Sequence, residues 1–137
     1  FVVGFLFLTL FFYFNQSKLK SFYLILIFSF VGYLFDSLLV FFNLYIFNAE
    51  IIFLYLPLWF LVLWPSFCCL LIICFAFLDK YFYLSIILGS IFGPLSYYSG
   101  VGIGLLQITN YLVFIVISVF WFFYIFLFFK CLKLRVK

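Results

Sequence analysis

The chain has 137 residues, of which 72% are hydrophobic and only 7% charged, against roughly 45–50% and about 25% in soluble domains. A soluble domain of this size leaves too much of its surface exposed to hide that much apolar area, so the composition excludes a soluble fold and makes lipid the solvent. The net charge of +4 would suggest nucleic acid in a soluble protein. Here the basic residues sit in short loops and at the tail, where they set topology and meet anionic headgroups, so nucleic acid is excluded as a partner.

A helix needs about 20 apolar residues to cross the hydrocarbon core. The first run, Phe1 to Phe14, is short for a span and ends at the polar turn Asn15-Gln16-Ser17-Lys18-Leu19-Lys20. With no Met at position 1, an upstream helix is expected. The second span is predicted from Ser21 to about Phe47, followed by the loop Asn48-Ala49-Glu50 and an apolar interfacial stretch from Ile51 to Leu56. Pro57 suits the first turn of a third helix, where its missing N–H would be unpaired anyway. That helix runs to about Leu78, with Pro65 as an internal break. Asp79-Lys80 makes a tight turn, and the fourth helix runs from about Tyr81 to Leu106, broken or bent at Gly93-Pro94. The fifth runs from Tyr111 to about Phe129, before a basic tail from Lys130 to Lys137. No internal repeat is evident and no linker divides the chain. The predicted fold is therefore all-α: one polytopic transmembrane domain over 1–137, with five helices present and six in a full-length protein.

The seven Lys and Arg residues check this count. With sides numbered alternately, Lys18, Lys20, Lys80, Lys130, Lys133, Arg135 and Lys137 all fall on one side and Glu50 on the other. By the positive-inside rule that side, and the C-terminus with it, is cytoplasmic. The expected location is an inner (cytoplasmic) membrane.

Few residues carry chemistry. Asp36 is the one acid within a span, where an Asp costs about 2.5–3.5 kcal/mol on insertion scales and faces the bundle interior or a water-filled cavity. Ser29, Gly32, Tyr33, Asp36 and Asn43 share a helix face by spacing. The structural reading is an interhelical hydrogen bond that fixes packing; the functional one is a proton relay or ligand contact. Gly89, Gly93, Gly100 and Gly104 form a small-residue stripe suited to close helix packing. Pro65 and Pro94 are the expected helix breaks. Counting depth at about 1.5 Å per residue puts Asp36, Trp64 and Ser96 at one level, which predicts a polar cluster of Asp36, Trp64, Ser96 and Tyr97. The chain has no His, and Cys68, Cys69, Cys74 and Cys131 make no C-x-x-C pair, so no metal and no cofactor is expected. Membrane lipids and a partner membrane protein or second copy of the chain are the expected partners.

Three motifs carry a resemblance: Gly32-Tyr33-Leu34-Phe35-Asp36-Ser37-Leu38-Leu39; Pro57-Leu58-Trp59 with Leu63-Trp64 and Phe67; and Gly89 followed by Gly93-Pro94-Leu95-Ser96-Tyr97, Gly100 and Gly104. In this order and spacing the chain resembles, over nearly its whole length, a bacterial inner-membrane family known as domain of unknown function 2878. The resemblance implies a small multi-helix inner-membrane protein, carries no activity, and points only weakly to lipid metabolism. After Trp64 the chain departs from the family, with Pro65 and Cys68-Cys69 in place of a stretch richer in hydroxyls or amides. Three functions stay open: a non-enzymatic membrane component, a proton-coupled permease using Asp36, and a lipid-modifying enzyme for which Asp36 with Tyr97 is the only acid–base couple. A mitochondrially encoded subunit would suit the 27 Phe, but the motifs argue against it.

Overall fold

In lipid every backbone polar group must find its partner within the chain, which leaves long apolar runs little choice but the helix. The computed structural model describes residues 2–14, 18–48 and 52–136; the turn residues Asn15, Gln16 and Ser17, the loop residues Ala49, Glu50 and Ile51, and the terminal Phe1 and Lys137 lie outside them. Among the described residues five helices form: α1 (Val2–Phe14), α2 (Lys18–Phe41), α3 (Phe60–Leu78), α4 (Phe82–Gly102) and α5 (Val113–Val136). The stretches Ser21–Phe41, Phe82–Gly102 and Val113–Lys133 are long and apolar enough to cross a membrane. The outward faces carry Phe, Leu, Ile and Tyr side chains, as a lipid-facing surface requires. The chain is an all-α membrane bundle.

Several boundaries differ from the sequence reading. The second helix stops at Phe41 rather than near Phe47, because Asn43 takes a left-handed conformation (φ 54°). Leu44 N–H then bonds to Leu39 C=O and Asn43 N–H to Val40 C=O, each at 2.9 Å, which is the Schellman way of ending a helix. The fourth helix ends at Gly102, not Leu106, by the same device: Gly104 has φ 74°, Leu105 N–H bonds to Gly100 C=O and Gly104 N–H to Val101 C=O, each at 3.0 Å. Gly104 therefore serves a turn and no helix contact, since a Cβ there would meet open space. Pro57 does not start a helix. It lies in β3 (Leu56–Pro57), paired antiparallel with β2 (Ile52–Phe53), and the third helix begins at Phe60. Neither Pro65 nor Pro94 breaks its helix; α3 and α4 run through them unbroken, each proline removing a single N–H from the ladder. The expected basic tail is helical, α5 continuing to Val136.

The two Schellman turns feed two short strands, β1 (Tyr45–Phe47) and β4 (Leu106–Ile108), which pair antiparallel with Ile46 opposite Gln107, Tyr45 opposite Ile108 and Phe47 opposite Leu106. Asn48 N–H reaches Leu105 C=O at 3.0 Å and Thr109 N–H reaches Leu44 C=O at 3.2 Å. This cap contains a local two-fold relation. Asp36 and Tyr97 stand 61 residues apart, and the same offset relates Gly32 to Gly93, Asn43 to Gly104, Leu44 to Leu105 and β1 to β4. After the cap, α3 and α5 correspond with Trp64 matched to Trp121 and Cys74 to Cys131. Two helix–strand–helix units thus pack about one axis, a repeat that the residue identities conceal.

Glycine sets the helix approaches within each unit. A Cβ at Gly32 would run into the Trp64 ring, and one at Gly93 into the Trp121 ring. Gly89 makes room for Ile125 in the same way, and Gly100 lies against Leu106 of the cap. The two indoles meet at the centre, stacked with ring centroids 5.8 Å apart.

Candidate functional site

Asp36 sits in α2 with no solvent exposure, and three donors from three other elements close on its carboxylate. Tyr97 of α4 and Tyr45 of β1 each donate a phenol O–H to Oδ1 at 2.6 Å. Trp64 of α3 donates its indole N–H to Oδ2 at 2.8 Å. Distances of this length belong to the stronger, carboxylate-accepting class of hydrogen bond.

The local sequence explains how each donor arrives. Gly32 is one turn before Asp36, so the missing side chain lets the Trp64 indole lie flat on α2 while its N–H reaches the next turn. Gly93 is one turn before Tyr97 and seats Trp121 likewise. Tyr45 comes back from the cap: β1 alternates, with Tyr45 and Phe47 inward and Ile46 outward. Burial pushes the Tyr45 phenol well above its ordinary pKa, with the neighbouring Asp36 and Tyr97 acting in the same direction.

The structure thus brings Asp36, Trp64 and Tyr97 together, and it excludes Ser96 from their cluster. Ser96 is one residue before Tyr97 and so about 100° around the helix; it is exposed, and its hydroxyl donates to Gly93 C=O of its own helix at 2.6 Å. Asn43 also leaves the expected face: it is exposed at the end of α2. Sequence reasoning missed Tyr45, because a helix drawn to Phe47 carries it away from Asp36. Asn43, a residue that tolerates positive φ, was the available signal for the stop.

A second polar chain lies one to two turns deeper. Ser29 Oγ donates to Cys68 Sγ at 3.6 Å, the Cys68 thiol and Tyr124 hydroxyl lie 3.2 Å apart, and Tyr124 O–H reaches Phe28 C=O at 3.1 Å. Cys68 and Cys69 are both fully buried. Among the described residues no three Cys, Asp or Glu side chains gather as metal ligands would.

Beside the carboxylate runs a groove of about 560 Å³ between α3 and α4, with α5 as its floor. Phe47, Leu105 and Leu106 of the cap close one end, and Cys74, Ser85 and Phe129 mark the other. Trp64 and Tyr97 line its wall and hydrogen-bond Asp36 behind it. Ser96 faces the groove, as do all three tryptophans of the chain, Trp59, Trp64 and Trp121.

Neither the curated proteins nor the solved structures offer a match to this chain. A family model described as "Protein of unknown function (DUF2878)" matches residues 1–127. Since that match takes in the carboxylate and its three donors and covers all but the last ten of the 137 residues, the chain belongs to this family.

Proposed function

We propose that this chain is a non-enzymatic component of a bacterial cytoplasmic membrane, serving lipid metabolism by binding rather than by chemistry. The enclosure of Asp36 supports this reading. All three donors are spent on its two oxygens, and an acid meant to relay protons needs a water path or a second ionisable group to pass them on. The Asp36–Tyr97 couple has no room for a substrate atom between its partners, 2.6 Å apart. The carboxylate acts as a clasp that ties α2, α3, α4 and β1 together. The grouping of Lys and Arg at one end of the bundle supports a cytoplasmic C-terminus. A partner membrane protein or second copy remains compatible with the broad apolar exterior.

The test is Asp36→Asn, read as thermal stability in detergent beside complementation of the deletion phenotype. The expected result is a joint loss, with complementation tracking folded protein. A variant that folds normally yet fails to complement would sink the clasp reading and favour a proton-coupled permease.

A further inference from the structure

The two-fold relation between the halves has one conspicuous exception. On one side of the axis α2 packs on α5 through aromatic rings: Phe35 stacks on Phe120 with centroids 3.6 Å apart, and Phe28 meets Tyr124 at 5.4 Å and Phe128 at 4.9 Å. The corresponding contact on the other side is α4 against α3. There Phe28 is replaced by Gly89 and Phe35 by Ser96, while Phe120, Tyr124 and Phe128 correspond to Leu63, Phe67 and Leu71. These five substitutes all line the groove. The groove is therefore the open copy of a contact that the other half fills with its own phenyl rings. A bundle that closes one of two equivalent interfaces with phenyl rings, and lines its twin with smaller side chains, keeps an apolar groove at the second.

We infer that this groove holds one acyl chain of an anionic phospholipid, an inference that rests on the binding role proposed above. Its geometry suits a chain. From Ser85 to Gly100 the α4 wall runs about 22 Å at 1.5 Å per residue, longer than a leaflet of about 15 Å in a hydrocarbon core of about 30 Å. The cap closes one end, so the chain enters sideways between the helices with its headgroup at the other. That other end is the basic one. The Phe82 ring lies 6.0 Å from Phe126 and 6.4 Å from Phe129, beside the groove's end. Lys130 holds its ammonium 5.8 Å over the Phe126 ring, and Lys80 is exposed in the turn (Asp79–Tyr81) that joins α3 to α4. Two cations thus stand at this end of the bundle, Lys80 in the turn between the two helices that wall the groove and Lys130 next in sequence to the lining residue Phe129.

The three tryptophans make the groove observable, because chain-brominated lipid quenches indole fluorescence on contact. The purified chain is reconstituted in vesicles of unlabelled phosphatidylcholine containing either brominated phosphatidylglycerol or brominated phosphatidylcholine. The anionic lipid is expected to half-quench at a mole fraction lower by about fivefold for each lysine that contributes. Lys80→Gln with Lys130→Gln should equalise the two lipids and leave quenching itself in place. Ser96→Phe restores the phenyl of the other half and should abolish most quenching by either lipid; Leu63→Phe, from the opposite wall, should do the same if the first variant fails to fold. Equal quenching of the native chain by both lipids overturns the headgroup assignment. Quenching undiminished in folded Ser96→Phe or Leu63→Phe, or a native dimer that these variants convert to monomer, overturns the groove as a lipid site, even where the Asp36→Asn result stands.

Discussion

Asp36 accepts from Tyr45, Trp64 and Tyr97 within a fully buried pocket, and each donor left without its acceptor costs about 1–3 kcal/mol. Asp36→Leu strands all three and is expected to prevent folding or lower the melting temperature more than Asp36→Asn, whose amide oxygen still accepts; thermal unfolding in one detergent compares them. Tyr45 adds a pH dependence. Its folded pKa is raised, so its contribution is full below the ordinary tyrosine value of 10.0 and is lost as pH rises through the folded one. Tyr45→Phe should therefore flatten the alkaline fall in stability, measured as melting temperature against pH. The glycines separate by what their missing side chains meet. Gly32→Ala drives a methyl into Trp64 and should destabilise by about 1–3 kcal/mol, as overpacking does. Gly102→Ala meets nothing within 4 Å and should be neutral or stabilising by up to about 1 kcal/mol.

Among the elements, the β2–β3 hairpin is the strained one. Leu54 and Tyr55, between β2 and β3, both take positive φ, 46° and 70°, a hairpin turn that favours Asn-Gly. For other L residues that conformation costs roughly 1–2 kcal/mol each. Replacing the pair by Asn-Gly is expected to raise the melting temperature and slow amide exchange in 52–57, and no change in either would argue against this turn. This hairpin and the cap were also the elements least legible beforehand. Their strands are two or three residues long, too short for alternation to stand out from the apolar runs beside them. The helices were legible because their apolar runs are long, and their ends were misjudged where Asn43 and Gly104 reverse the chain.

At the scale of the molecule, all described Lys and Arg positions lie at the end of the bundle away from the cap, where α2 and α4 begin and α3 and α5 end. A reporter fused after Lys137 that is active only in the cytoplasm should be active, and a periplasm-dependent one silent; the reverse pattern would invert the bundle. The groove belongs to this scale too, since no single helix contains it and only the comparison of the two halves explains why it is open.

The sequence by itself determined the solvent, the helical class, the family resemblance and the inward-facing position of Asp36. Those follow from composition, run length and the cost of one charge in lipid, which are properties of single segments. It also placed Trp64 and Tyr97 near Asp36, because depth along a helix is a count of residues. The tertiary structure decided what depends on direction and on contacts between segments. Ser96 turns away from the carboxylate while Tyr97 turns toward it, since neighbours on a helix point about 100° apart. Tyr45 returns to Asp36 only because α2 ends at a residue with positive φ. The repeat, and the groove left where Gly89 and Ser96 stand in place of two phenyl rings, exist in the packing of helices against one another.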